Sequence, residues 1–389
     1  MIESKAISKI CHIIGGNPSP KENEFDSEGL PFIKMKDLGR YHLTNNLVQI
    51  ENKIPHDHPR IDKFKILPVG SILLPRSGSV ALNHRAILGV EASIVSHICA
   101  LVIKHTTEVF SSYLYYYLTS IDMVKITKKT TGLDAITFED LGKIKIPLPP
   151  LETQKKIAAI LDKADELVQN DKKILEKYDQ LAQSVFLEMF GDPVTNLKGW
   201  EKLKFSDIGK LDRGKSKHRP RNAPELLGGN YPLIQTGDVA NSNGYITEFH
   251  STYSEIGLIQ SRMWLAGTLC ITIAANIAKT GILTFDSCFP DSVVGFVPNE
   301  KTCNVYVQFW MSFLQKILED TAPESAQKNI NLAILRNLDI PIPPINQQRK
   351  FEVTIQQIEQ QKQLTRQSLK KSEQLFQSLL QRAFKGELV

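Results

Sequence analysis

Cysteine is scarce in this sequence, and what there is lies scattered. Cys11, Cys99, Cys270, Cys288 and Cys303 are odd in number and form no C-x-x-C pair within 389 residues. That argues against a disulfide framework and a cysteine-type zinc site, and it suits a reducing compartment. No apolar core follows the first residues, MIESKAISKI, so no secretory leader is expected. Long hydrophobic runs are missing as well. The most apolar stretch, residues 86–104, is interrupted by Glu91, Ser93, Ser96 and His97, and it reads as buried strand, not membrane span. The expected location is the cytoplasm. A dominant charge sign is also absent: 47 Lys+Arg stand against 42 Asp+Glu, a net +5, so overall charge does not announce a nucleic-acid binder. With 42% hydrophobic and 23% charged residues, wholesale disorder is excluded, and the length suits about two to three domains.

What the sequence does have, it has twice. Ile146-Pro-Leu-Pro-Pro-Leu-Glu-Thr-Gln-Lys-Lys156 returns as Ile340-Pro-Ile-Pro-Pro-Ile-Asn-Gln-Gln-Arg-Lys350 at an offset of 194. Carried without gaps over residues 146–190, the two copies share 14 identities in 45 positions, among them Gln154/Gln348, Leu175/Leu369 and Phe190/Phe384, so the chain is read as an internal duplication. The likeness reaches back through Ile136, Leu141 and Ile146, which match Ile330, Leu335 and Ile340. Earlier still, residues 31–38 resemble residues 232–239, each with an aspartate at the seventh position (Asp37, Asp238). Short β-branched runs between Gly, Pro and Asn read as strands. Apolar stretches at 110–124 and 305–318 read as helices. The expected fold is α+β: globule 1 (1–145), a long helical segment (146–193), globule 2 (194–339) and a second long helical segment (340–389).

The first long helix is placed at about 151–190. Pro149-Pro150 prepare its first turn, and Gly191-Asp192-Pro193 stop it. Ile157, Leu161, Ala164, Val168, Asp171, Leu175, Tyr178, Ala182, Val185 and Met189 alternate in steps of four and three, a heptad seam. The second, about 345–385 behind Pro343-Pro344, carries Phe351, Ile355, Ile358, Leu364, Leu369, Phe376, Leu379 and Ala383, with a polar middle at 359–363. Short connections favour an antiparallel two-helix coiled coil with pseudo-twofold symmetry and a globule at each end. About 37 helical residues at ~1.5 Å each give ~55 Å, roughly 16 base pairs of B-DNA. A globular helix bundle or a homodimer seam is the competing reading of the same periodicity.

The doubled Ile-Pro-x-Pro-Pro-x-x-x-Gln approach to a long helix, each copy behind a variable globule, resembles the DNA-specificity subunit of type I restriction–modification enzymes. The resemblance spans nearly the whole chain. It implies that each globule is a target-recognition domain reading one half of a bipartite DNA sequence. It implies further that the helices set the spacing and dock two methyltransferase subunits, with restriction and translocation subunits joining them on double-stranded DNA. The tryptophan that usually leads a recognition domain stands at Trp200 before globule 2 and has no counterpart before globule 1. The resemblance places S-adenosylmethionine, ATP and Mg²⁺ on the partner subunits, with no cofactor, metal or membrane for this chain.

Motifs that suggest chemistry fail on context. Gly209-Lys-Leu-Asp-Arg-Gly214-Lys215-Ser216 satisfies a phosphate-loop pattern, but Pro220 would break the helix such a loop must open. The Pro-Pro pairs lack the polar grip and aromatic of an amino-methyltransferase, since Leu148/Ile342 precede them and Leu151/Ile345 follow. Pro290-Asp291 has no nearby Asp/Glu-x-Lys, and His56-Asp57-His58 between prolines reads as a polar turn. No catalytic residue is assigned.

DNA contact is expected instead from a local basic run. Lys210, Arg213, Lys215, Lys217, Arg219 and Arg221 face only Asp212 within twelve residues, which gives a near-neutral chain one basic loop for phosphates. Base readers need Arg/Lys for guanine and Asn/Gln for adenine in loops. The candidates are Gln235, Asn241, Asn243, Asn276 and Lys279 in globule 2, and Lys34, Lys36, Arg40, Arg76, Ser77, Asn83, His84 and Arg85 in globule 1. Pro149, Pro150, Gln154, Pro343, Pro344 and Gln348 are taken as structural or docking residues. Ile160, Leu167, Ile174, Phe186 and Leu380 are taken as docking residues on helix faces left free by the seam. Two alternatives stay open: a structural coiled-coil adaptor with two protein-binding globules, and the recognition subunit of a related nuclease-fused restriction system.

Overall fold

The structure is a computed structural model that describes residues 3–78, 80–126, 128–129, 134–274, 278–314 and 330–388. The chain divides into two units, Met1–Lys172 with Gln367–Val389, and Lys173–Arg366.

Unit 1 is built on a five-stranded sheet of β1 (Cys11–Gly15), β2 (Thr44–Leu47), β3 (Ile72–Pro75), β4 (Ala86–Leu88) and β5 (Ile98–Ile103). The strand order is β1-β5-β3-β4-β2, with β2 and β4 parallel and the other neighbours antiparallel. Successive strand side chains point to opposite faces, and here both faces are covered. Ile72, Leu74, Ile87, Cys99 and Leu101 face a core shared with helix α1 (Ser111–Ser120), while Leu73, Ala86, Leu88, Ile98 and Ala100 pack with Phe32, Leu38 and Phe64. Burial on both sides is why residues 86–104 read as one apolar run.

Unit 2 repeats the plan. Its strands are β6 (Gly209–Arg213), β7 (Gly244–Ile246), β8 (Leu269–Thr272), β9 (Thr280–Leu283) and β10 (Val293–Pro298). The order is β6-β10-β8-β9-β7, the same permutation as in unit 1, and again only the second and fourth strands are parallel. Leu269, Ile271, Ile282, Val294 and Phe296 face helix α3 (Asn304–Met311), and Cys270, Leu283 and Val293 face Trp264 and Phe289. The duplication read from the helical segments therefore extends through the β-rich parts, where almost no identities survive.

The two long helices occupy the expected spans, α2 at Leu151–Phe190 and α4 at Ile345–Lys385. Before each, the Ile-Pro segment forms a short antiparallel pair: Ile146 faces Lys5, and Ile340 faces Leu203. The motif glutamines explain the rest of the repeat. Gln154 is fully buried; its amide donates to the carbonyls of Glu108 (2.8 Å) and Pro149 (2.9 Å), and its oxygen accepts from the Phe110 N–H (2.9 Å). Gln348 does the same with the carbonyls of Lys301 (3.1 Å) and Pro343 (2.8 Å), the Cys303 N–H (3.2 Å) and the Thr302 hydroxyl (2.8 Å). Tyr113 and Tyr306 donate to the carbonyls of Pro147 (2.8 Å) and Pro341 (2.5 Å). Each long helix is thus riveted at its start to the α-helix that backs its sheet. α2 ends as expected at Gly191, whose φ of +80° favours glycine, and the Trp200 indole N–H caps the Phe190 carbonyl at 2.8 Å.

Each unit holds the start of one long helix and the end of the other, so the pairing inside each is antiparallel. In unit 1, Ile157, Leu161, Ala164 and Val168 join Phe376, Leu380 and Ala383 in one core. In unit 2, Ala182, Phe186 and Phe190 join Phe351, Ile355 and Ile358. The seam differs from expectation in its polar middle. Leu364, expected inside, is 58% exposed, while Lys362 turns in and is 6% exposed. Its ammonium meets Asp179 at 2.8 Å and Glu359 at 2.6 Å, so the buried cation is paired. The seam residue Asp171 accepts from the Ser372 hydroxyl at 2.9 Å. No described helix is long and apolar enough to cross a membrane.

Candidate nucleic-acid interface

The basic run of unit 2 is a strand followed by a pinned loop. Gly209–Arg213 is β6, paired along its length with β10, so no phosphate-binding loop exists at that motif. Gly214 then passes so close to the carbonyls of Phe289 and Pro290 that a Cβ would sit 2.2 and 2.4 Å from them. Beyond it, Lys215, Lys217, Arg219 and Arg221 are exposed. The loop is held from one side by Gln260, whose side-chain oxygen accepts from the N–H groups of Lys217 (2.6 Å) and His218 (3.1 Å). It is held from the other by Asp291, which the linear sequence places 70 residues away: Arg221 meets its carboxylate at 2.5 Å and Arg219 at 3.7 Å, and the Arg213 Nε donates to its carbonyl at 2.7 Å. Asp212 is equally occupied, by Lys210, Arg262 and Arg336 at 3.5, 3.2 and 3.5 Å. Burial opposes its charge, but Arg262 and Lys210 outweigh that and hold the carboxyl below its ordinary value. Among the described residues, Lys215 and Lys217 have no acidic side chain within 4.0 Å.

The candidate base readers divide. Gln235 and Asn241 are exposed at the two ends of the short helix Thr236–Ala240, whose start is fixed by the Asp238 carboxylate accepting the Gln235 N–H at 2.8 Å. Asn241 and Asn243 line a cleft of about 680 Å³ within unit 2, opposite Gln356, Gln360, Gln363 and Arg366 of α4. Sequence reasoning did not single out these four: Gln360 and Gln363 fall in the polar middle at 359–363, and Gln356 and Arg366 flank it with no distinguishing signal. Lys279 is exposed in the turn between β8 and β9, and Asn276 lies outside the described residues.

In unit 1, Asp37 fixes the equivalent helix by accepting the Lys34 N–H at 2.9 Å. Lys34 itself corrects the sequence reading. Its side chain is folded inward, over the Phe25 ring at 4.0 Å and against Glu22 at 2.8 Å, so it offers no free cation to a base. Arg85 is a firmer correction: it is fully buried, and burial lowers its guanidinium to about 9. Lys36, Arg40 and Arg76 are exposed; Arg40 pairs with Glu51, and Arg76 lies 4.8 Å from the Phe138 ring centroid. His56-Asp57-His58 forms a turn, the His58 N–H bonding to the Pro55 carbonyl at 3.1 Å, and no group of three metal-ligating side chains occurs among the described residues.

A family model for the type I restriction modification DNA specificity domain matches residues 2–178 and again residues 197–374. The chain belongs to this family. The putative MjaX specificity subunit of Methanocaldococcus jannaschii is 22% identical over 378 residues, spanning 92% of this chain and 86% of that one. The EcoBI specificity subunit of Escherichia coli is 23% identical over 407 residues, spanning 95% and 82%. Among solved structures, the type I S subunit from M. genitalium superposes with a TM-score of 0.57 at 16% identity, covering 99% of this chain and 96% of that one. A second, from work on complex assembly and conformational transition of the type I system, gives 0.54 at 17%, covering 99% and 98%. At such identities the structural likeness is one of fold.

A specificity subunit is a recognition component, not an enzyme, and its long helices sort the remaining candidates. Pro149, Pro150, Pro343 and Pro344 begin the helices: the Pro150 carbonyl accepts from Thr153 and Gln154, and that of Pro344 from Gln347 and Gln348. Phe186 and Leu380, taken as free docking residues, are 0% and 2% exposed and belong to the cores of units 2 and 1. Gln154 and Gln348 are likewise spent on internal bonds. Ile160 is half-buried, while Leu167 and Ile174 are 50% and 41% exposed, with Leu181 one heptad further on at 46%.

Proposed function

We propose that this specificity subunit reads a bipartite sequence in double-stranded DNA, one half through the β-rich part of each unit. In unit 2 the phosphate contacts come from Lys215, Lys217, Arg219 and Arg221, with Gln235, Asn241 and Lys279 reading base edges; in unit 1 the contacts come from Lys36, Arg40 and Arg76. The observation that carries this reading is the pinned basic loop after β6: four exposed cations on a fixed backbone, in a chain whose overall charge is nearly balanced. The long helices set the gap between half-sites and dock two methyltransferase subunits through Leu167 and Ile174. S-adenosylmethionine, ATP and Mg²⁺ belong to the methyltransferase and restriction subunits of the complex.

The test is co-expression with the neighbouring methyltransferase gene in a methylation-free host, followed by sequencing of modified bases. The expected result is a two-part motif with a fixed gap, methylated once per half on opposite strands. Replacing residues 1–145 by those of a relative should change one half only. A stable complex that methylates no motif would overturn the DNA-reading assignment.

A further inference from the structure

In the free protein the basic loop already holds an anion of its own. Arg221 and Arg219 converge on the Asp291 carboxylate, and the Arg213 Nε fixes the main chain of that same residue. The Arg219 guanidinium is steadied further by the carbonyls of Ser216 at 2.6 Å and His218 at 2.8 Å. A carboxylate offers two oxygens to guanidinium donors in much the way a DNA phosphate does. The pairs are half-exposed, with the arginine side chains 56% and 45% accessible and the Asp291 side chain 33%. Ion pairs so exposed are weak and exchange readily for a better ligand. The first part of the loop has anchors besides these pairs: Gln260 holds the N–H groups of Lys217 and His218, and the Ser261 hydroxyl donates to the Lys215 carbonyl at 2.9 Å.

We propose that Asp291 is a built-in competitor of the DNA backbone: it occupies Arg219 and Arg221 in the free protein, releases them to phosphate on binding, and so limits affinity for DNA of any sequence. The proposal rests on the DNA-reading function above. Phosphate attraction carries no sequence information, so holding it down leaves a larger share of binding to base contacts. Lys215 and Lys217, without such a partner among the described residues, remain the standing phosphate contacts. Asp291 acts through the arginines and is a positioning residue.

The test measures binding of the full-length chain to a random-sequence 40-base-pair duplex across a series of KCl concentrations. Asp291→Asn keeps the main-chain carbonyl and the shape of the side chain. It should bind roughly tenfold tighter at about 0.1 M salt, with the slope of log K against log salt steeper by about 1 to 2. Arg219→Gln with Arg221→Gln should cost more affinity in the D291N background than with Asp291 present, a difference that a folding defect would not produce. Should D291N leave affinity and slope unchanged while Lys215→Glu with Lys217→Glu still weakens binding, the competitor role is overturned and the DNA-reading function stands. If wild type and all variants bind equally weakly and without salt dependence, the DNA-reading function fails and takes the competitor role with it.

Discussion

Two residues show how much a single position decides. Gln348 satisfies four groups at the start of α4: two carbonyls, an N–H and a hydroxyl. Gln348→Leu keeps the volume and strands those groups away from water. It is expected to cost about 2–4 kcal/mol, read as a lower urea midpoint without a change of slope. His42 predicts a pH effect. Burial, then the nearby His84, Arg85 and Lys172, lowers its pKa from 6.5 to about 4, and its ring nitrogen accepts the Arg85 N–H at 3.3 Å. The folded state keeps it neutral while an unfolded chain takes up a proton below about pH 6.5. Stability present above pH 6.5 is therefore lost as pH falls toward 4. His42→Asn, which retains an acceptor, should flatten the pH dependence of the unfolding midpoint over that window; an unchanged profile would assign the effect elsewhere.

At the scale of the element, the long helices were legible and their faces were not. Proline pairs, Gly191 and the four-three spacing gave both spans. Which apolar residue packs and which stays free depends on neighbours that the helix sequence does not contain. Phe186 is covered by Tyr306, Phe309 and Phe351, each more than a hundred residues away in sequence. Leu167 and Ile174, one heptad apart, are 50% and 41% exposed, without such an aromatic cover among the described residues. Substituting both with glutamate should leave the unfolding free energy of the isolated subunit within about 0.5 kcal/mol of wild type, as for exposed positions. Co-purification with the methyltransferase subunit should be lost; its survival would move the docking surface off this face. The basic loop teaches the same lesson. Its charges were plain in the sequence, but Asp291, which ties two of them, comes from the segment before β10. The loop of unit 1 that corresponds to the basic one, residues 16–29 after β1, carries one lysine against four acidic residues, so the phosphate contacts proposed for unit 2 have no basic counterpart at that place in unit 1.

For the whole molecule, the proposed spacing role makes a prediction in base pairs. Seven residues inserted at matched positions in α2 and α4 preserve the heptad seam and add about 10 Å of helix, or roughly three base pairs of gap. The methylated motif should keep both halves and widen by that amount; an unchanged gap would remove the helices from spacing control.

The sequence by itself determined the duplication, the two long helices and the family resemblance, because these are written in local chemistry: a proline pair, a glutamine three positions on from the following Leu/Ile, a heptad stripe, a glycine stop. Even the Asp37 and Asp238 helix caps lie within four residues of what they cap. Only the tertiary structure decided that both β-rich parts share one strand order, that Lys34 and Arg85 are withdrawn from solvent, that Lys362 replaces Leu364 inside the seam, and that Asp291 meets the basic loop. Each of these depends on groups brought together from distant parts of the chain. Burial and ion pairing are properties of such assembled neighbourhoods, and a residue's own type and spacing do not specify who its neighbours become.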